Sequence, residues 1–332
     1  MTQPEFKFGG VFHTVHPEIK KYHKSYLTSP KDMREVKAQR KQACAVCGNI
    51  QNEIRRCGKC KHASYCSKEC QKADWPTHKV ACSPTDSGLN MQRVVQNLDA
   101  STFLNMQIQA AFILAFDLLR DPRINQMFAV RMDVGVEPTD LMKFLKIYHG
   151  RADAPIPDNL EGMVQINAFT PLPLGWDLEA AKRSWASGRA RAIDGGFGDA
   201  PVGLMVISKA NALVQMHPIM VFPQMMEMMR NSPTFEATST LTGVKKSIPV
   251  DINGLMEMMN KHIRADDKNT LAMRTEMTAG DVQVIRDAAK GNVLTSRPPN
   301  WAVVAPSPKL AATILREKVE RDAMYKPHIV IC

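Results

Sequence analysis

The apolar positions of this 332-residue chain change rhythm along its length. Between Asn90 and Leu119, the residues Phe103, Leu104, Ile108, Phe112, Ala115 and Leu119 recur largely at three- and four-residue gaps. That spacing puts one apolar face on a helix, and Asp121-Pro122 predicts its end. Alternation follows in Phe128–Val134 and Met163–Phe169, which predicts two strands with one buried face each, separated by a short helix over Leu141–Tyr148. Arg151–Asn159 reads as a loop and Thr170–Gly175 as a proline-rich connection, after which Asp177 can cap a helix running to Ala192. Ala200–Ser208 and Ala212–Val221 predict a hairpin around Lys209–Asn211. Helices are expected over Gln224–Arg230, Asp251–Ile263, Asp281–Lys290 and Pro308–Arg321, and short strands over Trp301–Ala305 and His328–Cys332. Strands and helices in this mixed order, with a hairpin among them, predict an α+β fold over residues 89–332 rather than a doubly wound one.

Upstream of residue 89 these rhythms are absent and a different chemistry takes over. Seven of the eight cysteines lie between Cys44 and Cys82, and the eighth is Cys332. The first 43 residues carry nine Lys and Arg against four Asp and Glu, and supply half of the formal net charge of +10. Ser83–Gly88 (SPTDSG) reads as a linker. The resulting map is a basic N-terminal segment over 1–43, a cysteine-rich module over 44–82, a linker over 83–88 and an α+β domain over 89–332. A mean hydropathy of -0.24 and no long uncharged apolar run predict no membrane span. An N-terminus without an apolar signal region predicts an intracellular protein, nuclear or cytoplasmic.

The cysteine-rich module has the rhythm C-x2-C-x9-C-x2-C-x5-C-x3-C-x7-H-x3-C, formed by Cys44, Cys47, Cys57, Cys60, Cys66, Cys70, His78 and Cys82. A two-residue gap lets a tight turn aim two thiolates at one ion. A three-residue gap puts two ligands on one face of a helical turn. Eight soft donors make two tetrahedral sites and select zinc over calcium or magnesium. Four protein ligands leave no position for water, so both ions are expected to be structural. Spacing alone leaves the pairing of ligands open.

This stretch resembles the MYND-type zinc finger in ligand order, gaps and intervening residues, most closely over CGKCKHASYCSKECQKADWPTHKVAC (Cys57–Cys82). The resemblance implies a small treble, two-zinc finger with interleaved binding. Cys44, Cys47, Cys66 and Cys70 would hold one ion; Cys57, Cys60, His78 and Cys82 would hold the other. It also implies a protein-interaction adaptor that recruits proline-containing peptides through a groove involving Tyr65, Gln71 and Trp75. The physics suits that role, because an indole is a good platform for a proline ring and proline segments lose little entropy on binding. The resemblance ends at Cys82.

Two other readings compete with this one. Nucleic acid could engage the basic segment through Lys20, Lys21, Lys24, Lys31, Arg34, Lys37, Arg40 and Lys41. Only five aromatic residues accompany these charges, and no base-reading motif appears, so a solvated charged tail is the better reading. Loading two dications onto seven thiolates also lowers the finger from +4 to about +1, which weakens it as a basic patch. Enzyme motifs are missing as well. Lysine methyltransferases that carry a MYND finger within a SET domain need an Asn-His-Ser-Cys-type segment and further cysteines, and residues 83–331 contain no cysteine. There is no G-x-S-x-G, phosphate loop or H-E-x-x-H, and His149, His217 and His262 lack evident triad partners. The chain therefore reads as a non-enzyme.

The remaining features have plain structural readings. His13, His16, His23 and His62 are expected at the surface, and Cys332 as a free thiol. The methionine clusters Gln224–Arg230 and Leu255–Lys261 read as core packing. Ala192–Asp199 (AIDGGFGD) reads as a glycine turn entering a strand rather than a nucleotide loop.

Overall fold

A computed structural model describes residues 17–39, 44–47, 49, 54–59, 63–82, 91–150, 159–173, 179–209, 212–238, 245–295 and 307–326. The expected linker over 83–88, the cap at Asp177 and the strands over 301–305 and 328–332 lie outside them, as do His13, His16, Cys60, His62 and Cys332. Before the finger come α1 (Pro17–Ser25) and α2 (Pro30–Gln39). The finger comprises β1 (Arg55–Arg56), β2 (Ser64–Tyr65) and α3 (Lys68–Ala81). The body follows with α4 (Met91–Ala100), α5 (Thr102–Phe116), β3 (Ala129–Pro138), α6 (Leu141–His149), β4 (Glu161–Pro171) and α7 (Glu179–Asp194). It continues through β5 (Val202–Lys209), β6 (Ala212–Met220), α8 (Pro223–Asn231), β7 (Thr234–Thr238), β8 (Lys245–Pro249) and α9 (Ile252–Ala265). β9 (Arg274–Glu276), α10 (Ala279–Lys290) and α11 (Pro308–Arg321) complete it, with a 3-10 turn over Ala323–Tyr325.

The expected α+β architecture is present. Five strands form a mixed sheet in the order β6-β5-β3-β4-β9, with β3 and β5 parallel and the other neighbours antiparallel. The predicted hairpin is β5–β6, and Pro218 is tolerated in β6 because that strand is an edge. The predicted long helix is two helices. Ser101 takes extended backbone angles, and its hydroxyl accepts the Leu104 N–H, which starts α5 afresh. That helix stops at Asp117, in the left-handed region, before the predicted Asp121-Pro122. The hairpin β7–β8 and the short β9 carry little apolar alternation and were not expected.

One face of β3 carries Val130, Met132, Val134 and Val136 into the main core, together with Ile108 and Phe112 of α5 and Met256, Met259 and Ile263 of α9. Met225, Met226 and Met229 of α8 join the same core, so both methionine clusters pack largely as expected, with Met228 left exposed. On the other side α7 covers β5 and β6. Trp185 donates to the Val202 carbonyl at 2.7 Å, and Gly188 lets the helix approach, because a Cβ there would lie 2.4 Å from Pro218. Past β9 the edge of β4 is satisfied by α9: the Asn260 side chain accepts the Ile166 N–H and donates to its carbonyl, both at 2.8 Å. The AIDGGFGD segment is a turn into β5, with Gly196 at φ 79 and the Arg189 guanidinium donating to the Gly198 carbonyl. Among the described residues no helix is long and apolar enough to cross a membrane.

The basic segment differs most from expectation. Over 17–39 it is not a solvated tail but two helices packed on the body, α1 on α9 and α2 on α4. Met33 is 2% exposed within the main core, and Leu27 and Val36 pack against it. Lys20 and Lys24 both reach Asp267, at 3.0 and 2.6 Å. His23, expected at the surface, is 3% exposed, with its ring against Phe103 and His262. His262 itself is fully buried and stacks on Phe103 at 4.3 Å. The finger thus interrupts a body whose chain runs α1 and α2 before it and α4 after it.

Burial, with Lys261 nearby, lowers the His23 pKa from 6.5 to about 4, and burial, with His23 nearby, does the same to His262. Both imidazoles are therefore neutral in the docked state. The undocked chain binds protons first, so docking is fully stable above pH 6.5 and weakens as the pH falls from 6.5 towards 4. Each histidine is expected to contribute on the order of 1–3 kcal/mol to this pH dependence. Urea unfolding across this pH range should show the loss, and a His23→Phe, His262→Phe double variant should lose most of the dependence. An unchanged pH profile in that variant would contradict the buried, neutral pair.

Candidate metal centre

The finger has too little apolar material to make an ordinary core. Its buried cluster is Cys44, Cys57, Tyr65 and Cys82, with Val46, Ala63, Cys66 and Cys70 against it. Five of these eight residues are cysteines, so what fills the interior is also what can bind metal. Backbone bonds shape the knuckles: Cys44 N–H to the Asn49 carbonyl, Ala45 to Ser64 and Cys57 to Ala63, all at 2.8–2.9 Å. Ser67 begins α3 in extended conformation, and its hydroxyl accepts the Cys70 N–H at 3.2 Å. That cap holds Cys66 and Cys70 at the same helix entrance. At the other end His78 lies in the last turn and Cys82 is the C-cap, one turn further on.

These local features gather two groups. The Sγ atoms of Cys44, Cys47, Cys66 and Cys70 all lie within 4.8 Å of one another, and so do the ligand atoms of Cys57, His78 and Cys82. Three sulfur pairs in the first group are 3.5, 3.6 and 3.9 Å apart, and Cys57 and Cys82 are 3.7 Å apart. Disulfide sulfurs sit at about 2.05 Å, so these are free thiols. Four thiolates around zinc at about 2.3 Å each place their sulfurs about 3.8 Å apart along a tetrahedral edge. The donor set and its spacing therefore fit two zinc ions. The groups also match the interleaved pairing that the family resemblance implies. Cys60, the expected fourth ligand beside Cys57, lies outside the described residues.

The thiols compete for protons in a way that favours a shared cation. Burial pushes Cys44 up, but the backbone N–H groups of Cys47, Cys66 and Val46 outweigh it and bring the thiol to about 6. Hydrogen bonds with Cys47, Cys70 and Cys44 push Cys66 up to about 12. Four sulfurs this close cannot all carry charge unless a positive ion sits among them.

The three residues expected to form a peptide groove divide. Trp75 is 44% exposed on α3, with its ring 6.0 Å from that of His78, and Gln71 is half-buried one turn earlier. Tyr65 is 1% exposed, so it cannot present a surface to a ligand. Its ring packs edge-on to His78, and its hydroxyl donates to Asp74 at 2.7 Å. Tyr65 and Asp74 tie β2 to α3 and so brace the turn that carries Trp75. Asp74 was missed in the sequence because an acidic residue at a solvent-facing helix position gives no signal of a buried partner.

The family described as the MYND finger matches residues 44–82, and the family described as a domain of unknown function, DUF8205, matches residues 87–325. The finger is therefore a zinc-binding protein-interaction module. Among curated proteins, human N-lysine methyltransferase SMYD2 is 48% identical over 46 residues, 14% of this chain and 11% of that protein. The bovine SMYD2 is 45% identical over 47 residues, and zebrafish (Danio rerio) SMYD2-A 50% over 40 residues, 12% of this chain and 9% of that protein. The chain spans about a tenth of the length of these relatives, and the match covers the finger alone. No solved structure matches the chain.

Two equivalents of zinc per chain are expected by elemental analysis. Cys70→Ala should reduce this to about one and unfold part of the finger, since a structural site contributes about 10–16 kcal/mol. A finger whose circular dichroism survives complete zinc removal would contradict the assignment.

Proposed function

The chain belongs to the DUF8205 family and carries a MYND finger ahead of that domain, and on this premise we propose that it is an intracellular adaptor whose finger captures a proline-containing peptide. In this reading Cys44, Cys47, Cys66 and Cys70 hold one zinc, and Cys57, Cys60, His78 and Cys82 hold the other. The observation that carries the proposal is the indole of Trp75. It stands 44% exposed on a helix tied to β2 by the Tyr65–Asp74 bond and by the Tyr65 ring against His78. A rigid exposed indole offers apolar area without an ordering cost, and a proline segment arrives already extended. Gln71, one turn before Trp75, supplies an amide to bond the peptide backbone. Pro76 follows the indole within α3, and its ring fixes φ at the position next to Trp75.

The basic segment supports nucleic acid less well. Lys20 and Lys24 are engaged by Asp267, and α1 and α2 are packed on the body through His23 and Met33. The similarity to SMYD2 extends over the finger only, so methyl transfer is not part of the proposal.

The test is capture of a proline-rich peptide array by the full chain and by Trp75→Ala. Zinc content should stay at two equivalents in the variant. Affinity should fall at least tenfold, about 1.4 kcal/mol, in line with loss of an aromatic anchor. Unchanged capture by the variant would remove the groove from the account.

A further inference from the structure

Outside the finger, the face of β3 opposite the main core carries Arg131, Asp133, Gly135 and Glu137, all in a sheet covered by helices. Between this face and helices α10 and α11 lies a cleft of about 30 Å³, space for a group of only a few atoms. Asp133, Glu137 and Asn167 line its polar side, Ile285 and Ile314 its apolar side, and the Lys209–Asp281 ion pair, at 3.0 Å, its rim.

The acceptors of this cleft are already engaged. Both Asp133 oxygens accept from the Arg131 guanidinium at 2.8–3.0 Å. Glu137 accepts from Lys318 on one oxygen and from Arg264 and Tyr325 on the other. One Asp281 oxygen pairs with Lys209, while the other takes the Thr278 N–H and hydroxyl. What remains is donor capacity. Asn167, the extra residue of a bulge in β4, gives its carbonyl oxygen to Lys318. Among the described residues nothing accepts from its amide nitrogen. That nitrogen sits over Gly135, where an added Cβ would lie 2.7 Å from it. The Lys209 ammonium has one carboxylate partner and two further protons.

We propose that this cleft binds a short aliphatic carboxylate, with its head group between the Asn167 amide and the Lys209 ammonium and its tail against Ile285 and Ile314. Charge-assisted bonds from two directions compensate the desolvation of the anion. Asp133 is neutralised by Arg131, and the Lys209 ammonium bridges Asp281 and the head group of the ligand. The size of the cleft excludes nucleotides and phosphosugars. The proposal does not depend on the finger or its partner.

The experiment follows the Asn167 side-chain NH2 resonance of the zinc-loaded full chain during titration with acetate, and separately with ethylammonium. Acetate should move it saturably with a millimolar Kd, and ethylammonium should not. Gly135→Ala, which narrows the floor without touching a charge, and Lys209→Met should each weaken acetate at least tenfold, while Lys209→Arg should retain it. Melting temperature and zinc content report whether each variant is folded. No saturable shift in the wild-type protein would overturn the proposal on its own, as would saturation by ethylammonium instead of acetate. So would wild-type affinity in both Gly135→Ala and Lys209→Met.

Discussion

The carboxylate of Glu137 is 1% exposed in the middle of the sheet, and the body is arranged around it. Burial pushes this carboxyl up, but Lys318 and Arg264 outweigh that and hold it below the usual glutamate range, so it is ionised. Lys318 of α11 lies 2.6 Å from one oxygen, and Arg264 of α9 lies 2.7 Å from the other. Tyr325, whose hydroxyl is kept protonated by burial and by Glu137, donates to that second oxygen at 2.5 Å. Lys318 is drawn below the usual lysine value by burial, against the opposing pull of Glu137. A buried charge is costly unless its partners are all in place. One side chain therefore requires β3, α9, α11 and the turn after α11 to be assembled together.

That requirement shapes the rest of the body. Because β3 carries charge on one face, the helices around it must bring cations, and β4 an amide, rather than more aliphatic volume. Lys318 bonds Asn167 as well as Glu137, and the bulge that frees Asn167 from strand pairing aims it there. The cleft over Gly135 is what remains after these bonds are made. The finger is built on the opposite principle. It buries almost no aliphatic surface and depends on metal ligation for its fold. In the chain it lies between α2 and α4, which pack on each other within the body.

The zinc groups were legible in the sequence because close ligand pairs are local, and their gaps state which donors share a turn. The β5–β6 hairpin was legible for a similar reason, since two alternating runs meet across three residues. Glu137 was not. In an alternating strand its polar positions look solvent-facing, and its partners lie 127, 181 and 188 residues away. The same limit hid α1 and α2. Their many lysines dominate the pattern, while the residues that dock them, His23 and Met33, are single positions whose partners are distant in the chain. The break at Ser101 was hidden by apolar periodicity continuing through it, although a serine followed by a threonine is itself a capping signal. Tyr65 was misplaced because an aromatic residue within a finger reads equally as groove or interior, and its burial and its bond to Asp74 separate the two.

The most direct measurement is the urea unfolding free energy of Glu137→Gln against the wild-type chain, both zinc-loaded and at neutral pH. Glutamine keeps the shape and removes the charge, leaving Lys318 and Arg264 buried without an anion. Breaking a buried pair in this way costs about 3–5 kcal/mol, and the account predicts a loss of that size with the slope against urea unchanged. A loss within about 0.5 kcal/mol, the size of an ordinary surface substitution, would contradict an ionised Glu137 as the tie that holds the body together.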